Sequence, residues 1–232
     1  MKRMAVRVPA LGRTLRRMRK ADPHKLPGQL LLLFKVVKNP ADVYDGIKRE
    51  RKASALSAGI LYALGVFWFL LEKYLSGFAF RRVRDGEYAV VTDMVSAVGI
   101  LLLVILCHYL ICSITDGEAS LSNVFTAIPY ACAPYLLLNP VWILLSHVLT
   151  HNEQFLLSLL NFVIYFGCAV LLIVMVREMN AYTYAETVKN ILLTLFAILV
   201  AAATLFILFV LARQCVNFVT ELINEVIYRA AS

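Results

Sequence analysis

Residues 154–176, QFLLSLLNFVIYFGCAVLLIVMV, run for 23 positions without an acidic or basic side chain and stop at Arg177-Glu178. A helix needs about 20 consecutive apolar residues to cross the hydrocarbon core of a bilayer. This stretch alone therefore predicts a membrane span. Four further runs have the same character: 53–71, closed by Glu72-Lys73; 94–114, closed by Asp116; one span within 119–152; and 190–212, closed by Arg213. Only a short polar turn around His151-Asn152-Glu153 parts the third run from the fourth, which suits a tight hairpin. With their terminal turns the spans read 53–75, 92–114, 123–149, 154–176 and 189–212.

Composition agrees. The 232-residue chain is 61% hydrophobic and 16% charged, against about 25% charged in soluble domains. It has too little polar surface for a water-soluble particle of its size. The expected fold is all-α: a polytopic membrane protein, a bundle of five transmembrane helices with an N-terminal interfacial helix and a C-terminal amphipathic helix.

Charge sets the expected orientation. Residues 1–52 carry 15 Lys/Arg against 4 Asp/Glu, and the rest of the chain carries 8 against 11. With the N-terminus inside, the cytoplasmic segments hold 17 Lys/Arg and the outer ones 6. Short loops rich in Lys and Arg stay on the cytoplasmic side. A cytoplasmic N-terminus, an extracytoplasmic C-terminus and a cell-membrane location are thus expected. The local placement of the basic residues points to topology, anionic lipid or an acidic partner rather than to nucleic acid. The arm lacks a compact apolar core followed by a small-residue cleavage site, so no signal peptide is expected.

The chain divides into a basic arm with lead-in helices (1–52), a five-span domain (53–212) and a tail (213–232). In the arm, Leu11, Leu15 and Met18 share a helical face among Arg13, Arg16, Arg17, Arg19 and Lys20, a candidate partner-binding cluster. Pro23 and Pro27-Gly28 are expected to break that segment. Residues 29–37 are too short to cross and are expected to lie in the interface. Pro40, after Asn39 as a candidate N-cap, suits the first position of a helix. That helix is expected over 41–52, leading towards the first span.

In the third span Pro129, Pro134 and Pro140 each remove a backbone donor. The freed carbonyls need partners from neighbouring helices, which predicts a kinked, centrally packed span. The tail alternates Val216, Phe218, Val219, Leu222, Ile223, Val226 and Ile227 with Asn217, Thr220, Glu221, Asn224 and Glu225, an amphipathic helical pattern. Two arrangements stay open: a continuation of the fifth span, or a helix lying flat on the membrane. Phe218, Leu222 and Val226 are candidate docking residues.

Three segments carry a family resemblance: residues 40–54 (PADVYDGIKRERKAS), the loop Thr115-Asp116-Gly117-Glu118-Ala119, and residues 130–135 (YACAPY). Together they resemble the Yip-one domain family of Ypt/Rab-interacting membrane proteins, in its bacterial form, over about residues 38–212. The resemblance implies a non-enzymatic membrane protein. It further implies an accessory role, with the permease subunits of a bacterial carbohydrate ABC importer as the expected partners.

Individual residues carry competing readings. Asp116 and Glu118 are either a contact for a basic partner or a turn whose carboxylates favour the positive end of a helix dipole, with Gly117 permitting the turn. His147 and His151, spaced i, i+4 with Glu153 nearby, match a metal pair in spacing alone, and interfacial polarity explains them as well. His108 lies mid-span but has no acidic partner in the core of any span. Asn139 and Asn161 read as interhelical hydrogen-bonding residues, and Tyr182 and Tyr184 as interfacial aromatics. Asp93 is expected to pair with Arg81, Arg82 or Arg84. The five cysteines show no metal spacing and read as packing residues. HExxH and GxSxG do not occur. No enzymatic activity and no cofactor are therefore expected. The rival function is a small solute transporter or channel built on the broken third span.

Overall fold

The computed structural model describes residues 26–50, 52–78, 80 and 89–231; for residues 225–227 and 229–231 it describes the backbone alone. The arm cluster Arg13, Arg16, Arg17, Arg19 and Lys20 lies outside the described residues, as do Arg81, Arg82 and Arg84.

Three short helices come first: α1 (Leu26–Leu30), α2 (Leu32–Lys38) and α3 (Pro40–Asp45), followed by a π-helical turn, Gly46–Glu50. The spans are α4 (Ala55–Leu75), α5 (Val90–Ile114), the pair α6 (Leu121–Ala131) and α7 (Ala133–Val148), α8 (Gln154–Asn180) and α9 (Tyr184–Ala231). Taking α6 and α7 together, five helical segments are long and apolar enough to cross a bilayer. The chain is a multi-pass membrane protein.

The lead-in departs from expectation in two ways. Pro27 stands in the first turn of α1, where a missing N–H costs nothing; the arm segment it is expected to break lies outside the described residues. Pro40 opens α3, but Asn39 makes no side-chain cap. The helix also stops short of the first span. Ser54 sits in extended conformation and caps α4 instead, in a reciprocal box with Ser57.

Nor do residues 29–37 merely rest on a membrane surface. Leu32, Leu33 and Val36 are buried in the main core, while Leu31, Phe34 and Val37 face out. Val43, Tyr44 and Ile47 join the same core, beside Ala127, Ile128, Met175 and Met179. Two polar ties fix Gln29 in the lead-in. The Ser54 hydroxyl donates to Gln29 Oε1 at 2.8 Å, and the Tyr130 hydroxyl donates to the Gln29 carbonyl at 3.2 Å.

The third span breaks at Cys132, between α6 and α7. Pro134 stands in the first turn of α7, while Pro129 and Pro140 lie inside helices. Half of this span's most apolar window is buried, against about a fifth of the first, second and fourth, and none of the fifth. Packing around the prolines explains the contrast, since their freed carbonyls require close neighbours. On the way the span is hydrogen-bonded to α4: among these bonds, Tyr62 donates to the Phe125 carbonyl at 3.0 Å, and Tyr135 donates to the buried Glu72 at 3.3 Å. At the opposite end the Gly77 N–H donates to Ser146 Oγ at 3.0 Å.

Helix α9 has 48 residues and no interruption. It continues the fifth span through the tail. Thr187, Asn190 and Thr194 are buried on it, whereas residues 202–224 are exposed apart from the half-buried Val210.

Candidate functional site

The turn after α5 begins with Asp116, whose φ of 56° puts a non-glycine residue in the left-handed region. The Gly117 N–H then donates to the Cys112 carbonyl at 2.8 Å, closing the helix end in the Schellman manner. A twin lies beside it. Ala181 follows α8 with φ of 57°, and the Tyr182 N–H donates to the Arg177 carbonyl at 3.1 Å.

The twin caps interlock. Thr115 Oγ1 and the Tyr182 hydroxyl lie 2.7 Å apart, and that hydroxyl also reaches the Thr115 carbonyl at 3.1 Å. Asn180 donates to the Val176 carbonyl at 3.0 Å and accepts from the Ala119 N–H at 3.4 Å. Gly117 is needed for space rather than for dihedral freedom. A Cβ there would lie 2.5 Å from Asn180 Oδ1, 2.6 Å from the Tyr182 hydroxyl and 2.9 Å from the Cys112 carbonyl oxygen. The dihedral role assigned to Gly117 from sequence belongs to Asp116.

Below the caps runs a buried polar seam between α5 and α9. Asn190 donates to Thr115 Oγ1 at 2.8 Å, and its Oδ1 lies 3.6 Å from the Cys112 thiol. His108 sits 3.6 Å from the same thiol and 3.5 Å from Thr194 Oγ1. His108 and Cys112 on α5 and Thr115 at its cap are spaced four and three apart, and Thr187, Asn190 and Thr194 on α9 three and four apart. Each set forms one helical stripe. That spacing was a readable signal; which stripe meets which was not. The seam joins donors to acceptors inside the chain and acts as a clamp.

Glu118 turns back to the lead-in and accepts from Lys48 Nζ at 2.6 Å. That ammonium holds its carboxyl below the ordinary carboxylate range. Tyr182, partly withdrawn from water, has its hydroxyl pushed upward. Arg177 lies over the Tyr184 ring at 4.2 Å and donates to its hydroxyl at 2.9 Å.

The remaining candidates separate. Among the described residues Asp93 accepts from Lys73, at 2.5 Å, and from Tyr74; the expected arginines Arg81, Arg82 and Arg84 lie outside them. Helix α7 ends at Val148, so His151 falls in the turn His151–Glu153, where its ring lies 5.6 Å from that of Phe80; helical i, i+4 geometry with His147 is lost. No group of three metal-ligating side chains stands together among the described residues. Asn139 is buried and donates to the Trp68 carbonyl at 3.5 Å. Phe218 and Leu222 are exposed on α9; Val226 lies in the same helix.

A sequence model of the Yip1 domain matches residues 34–212. The chain belongs to the Yip1 domain family. No curated protein and no solved structure matches it. The Yip1 match begins inside α2, so the lead-in from Phe34 onward falls within the domain, while α1 and the last part of α9, from Arg213, fall beyond it. The interlocked caps and the polar seam are therefore features of the Yip1 domain here, while residues 213–231 are an addition to it.

Proposed function

We propose that this Yip1-domain protein is a non-enzymatic accessory subunit that docks another membrane complex through the exposed second half of α9. One observation carries the reading: the helix outruns any bilayer. Its 48 residues span about 72 Å at 1.5 Å per residue, against a hydrocarbon core of roughly 30 Å. Beyond Arg213 its apolar residues hold one half of the circumference and its polar residues the other. An uncovered apolar face of this extent outside the hydrocarbon calls for a protein partner. The basic arm is a second contact, on the side read as cytoplasmic. The finer identity we propose, the permease of a carbohydrate ABC importer, is the partner that the family resemblance implies.

The test is affinity purification in mild detergent from the native membrane, full chain against a variant lacking residues 213–232. Permease and ATP-binding subunits should accompany the full chain in fixed ratio and be lost from the truncated one. The truncated bundle should melt as the full chain does, because residues 202–224 are almost wholly uncovered by the rest of the protein. Recovery of the full chain alone after crosslinking would overturn the reading and make solute flux through the isolated bundle the next measurement.

A further inference from the structure

A groove runs between α4 and α5, with a volume of about 490 Å³ and an almost wholly apolar lining. Gly59, Ala63 and Leu70 form its α4 wall, and Met94, Val98 and Ile105 its α5 wall. The two helices are antiparallel neighbours, so Leu70 and Met94 mark one end and Gly59 and Ile105 the other. From Gly59 to Leu70 is eleven residues, roughly 17 Å of helix rise. That is about half of the ~30 Å hydrocarbon core, the depth of one leaflet. A transmembrane helix from a second copy would need the full depth; a single acyl chain needs this much.

The end marked by Leu70 and Met94 carries charge of both signs. The helical stripe through Ala63 and Leu70 continues to Lys73 and Tyr74, and Asp93 immediately precedes Met94. Lys73 Nζ lies 2.5 Å from the Asp93 carboxylate, which also accepts from the Tyr74 hydroxyl. Both charged side chains keep some exposure, 31% for Lys73 and 18% for Asp93. A cation and an anion side by side match a head group that itself carries both charges. A lipid phosphate pairs with the Lys73 ammonium, and a primary ammonium donates N–H bonds to Asp93. A quaternary ammonium has no N–H to give, and a head group with phosphate alone makes Lys73 serve the phosphate and Asp93 together, with no ammonium to add.

We infer that the groove between α4 and α5 is a binding site for one zwitterionic phospholipid with a primary-amine head group, its acyl chain lying along Gly59 and Ala63 and its head at Lys73, Tyr74 and Asp93. The site stands apart from the docking face on α9 and does not depend on it.

Native mass spectrometry of the full chain, with phosphatidylethanolamine, phosphatidylcholine or phosphatidylglycerol added in turn, tests the assignment. One phosphatidylethanolamine should be retained per chain, at least tenfold over the other two. A Cβ on Gly59 meets nothing within 4 Å, so Gly59→Leu should fill the groove without disturbing the fold. It should cut retention tenfold or more at an unchanged melting temperature. Lys73→Gln should remove the preference among head groups. Retention untouched by Gly59→Leu, or equal for all three lipids, overturns the inference. So does a dimer that Gly59→Leu dissociates, which would place a second copy's helix in the groove.

Discussion

Replacing Gly117 by alanine asks whether space, rather than dihedral freedom, makes the residue necessary. The added methyl would lie under 3.0 Å from three atoms at once: Asn180 Oδ1, the Tyr182 hydroxyl and the Cys112 carbonyl oxygen. The first two belong to side chains that can retreat, though Asn180 would then give up its contacts with Ala119 and Val176. The third is backbone at the end of α5 and can move only with the helix cap. Overpacking of this kind costs about 1–3 kcal/mol, and each displaced buried hydrogen bond adds about 1 kcal/mol. A loss of about 3 kcal/mol follows, which for a chain of this length lowers Tm by roughly 6–12 °C. Fluorescence of the two tryptophans, Trp68 and Trp142, during a thermal ramp in detergent reports the core directly. Gly99→Ala is the control: it lies in α5 with nothing within 4 Å of a built Cβ, and gains helix propensity at no steric cost. Adding Asn180→Ala to Gly117→Ala should recover part of the loss, because one of the three clashes disappears. A Gly117→Ala protein melting within about 1 °C of the parent would refute the spatial account of the twin caps.

Two further outcomes follow from the same end of the bundle. Ala181 holds φ of 57°, a conformation costing a non-glycine residue about 1–2 kcal/mol, so Ala181→Gly should raise Tm by a few degrees in the same assay. Lys48 holds the Glu118 carboxyl below its ordinary value of 4.5; the pairing therefore contributes stability that is fully present above pH 4.5 and lost as pH falls through the depressed folded value. The melting-temperature gap between parent and Glu118→Gln should close over that acidic window, and a gap independent of pH from 7 to 3 would exclude the pairing as its source.

The five spans were legible because bilayer thickness converts directly into run length, and the apolar runs end at charges or polar turns. The break in the third span was legible for a similar reason, since Pro129 and Pro134 bracket Cys132. The lead-in was misread because residues 29–37 alternate too briefly to show that Leu32, Leu33 and Val36 face a core rather than a headgroup layer. The helix ends were illegible for another reason. Left-handed caps announce themselves by glycine, and here Asp116 and Ala181 take those positions while the neighbouring glycine serves packing. The polar seam was half legible: stripes spaced three and four apart stand out in α5 and α9, but their pairing depends on which helices become neighbours. Continuity of α9 needed the three-dimensional structure, because an amphipathic tail fits either a straight or a bent helix.

The register of α9 links its covered and uncovered halves. Thr187, Asn190 and Thr194 are buried, and Ile191, Ile198 and Ala201 half-buried, along the face that meets α5 and α8. The alternation of three and four continues past the last of these through Leu205, Leu208, Ala212, Cys215, Val219 and Leu222. A strict seven-residue repeat drifts by about 20° per heptad on a straight helix, so the stripe turns by roughly 60° between Ala201 and Leu222. The apolar face of the tail thus lies within a sixth of a turn of the face that packs the bundle. A partner gripping it would stack beyond the end of α5 instead of approaching from the opposite side. Photocrosslinking residues placed one at a time along the tail can read this out in the native membrane. Positions 215, 219 and 222 should yield adducts with the docked subunit, and positions 217, 220 and 224, on the polar half, should not. Adducts spread evenly around the helix would mean that the tail is not held by one face, and would remove the physical basis for treating it as the docking element.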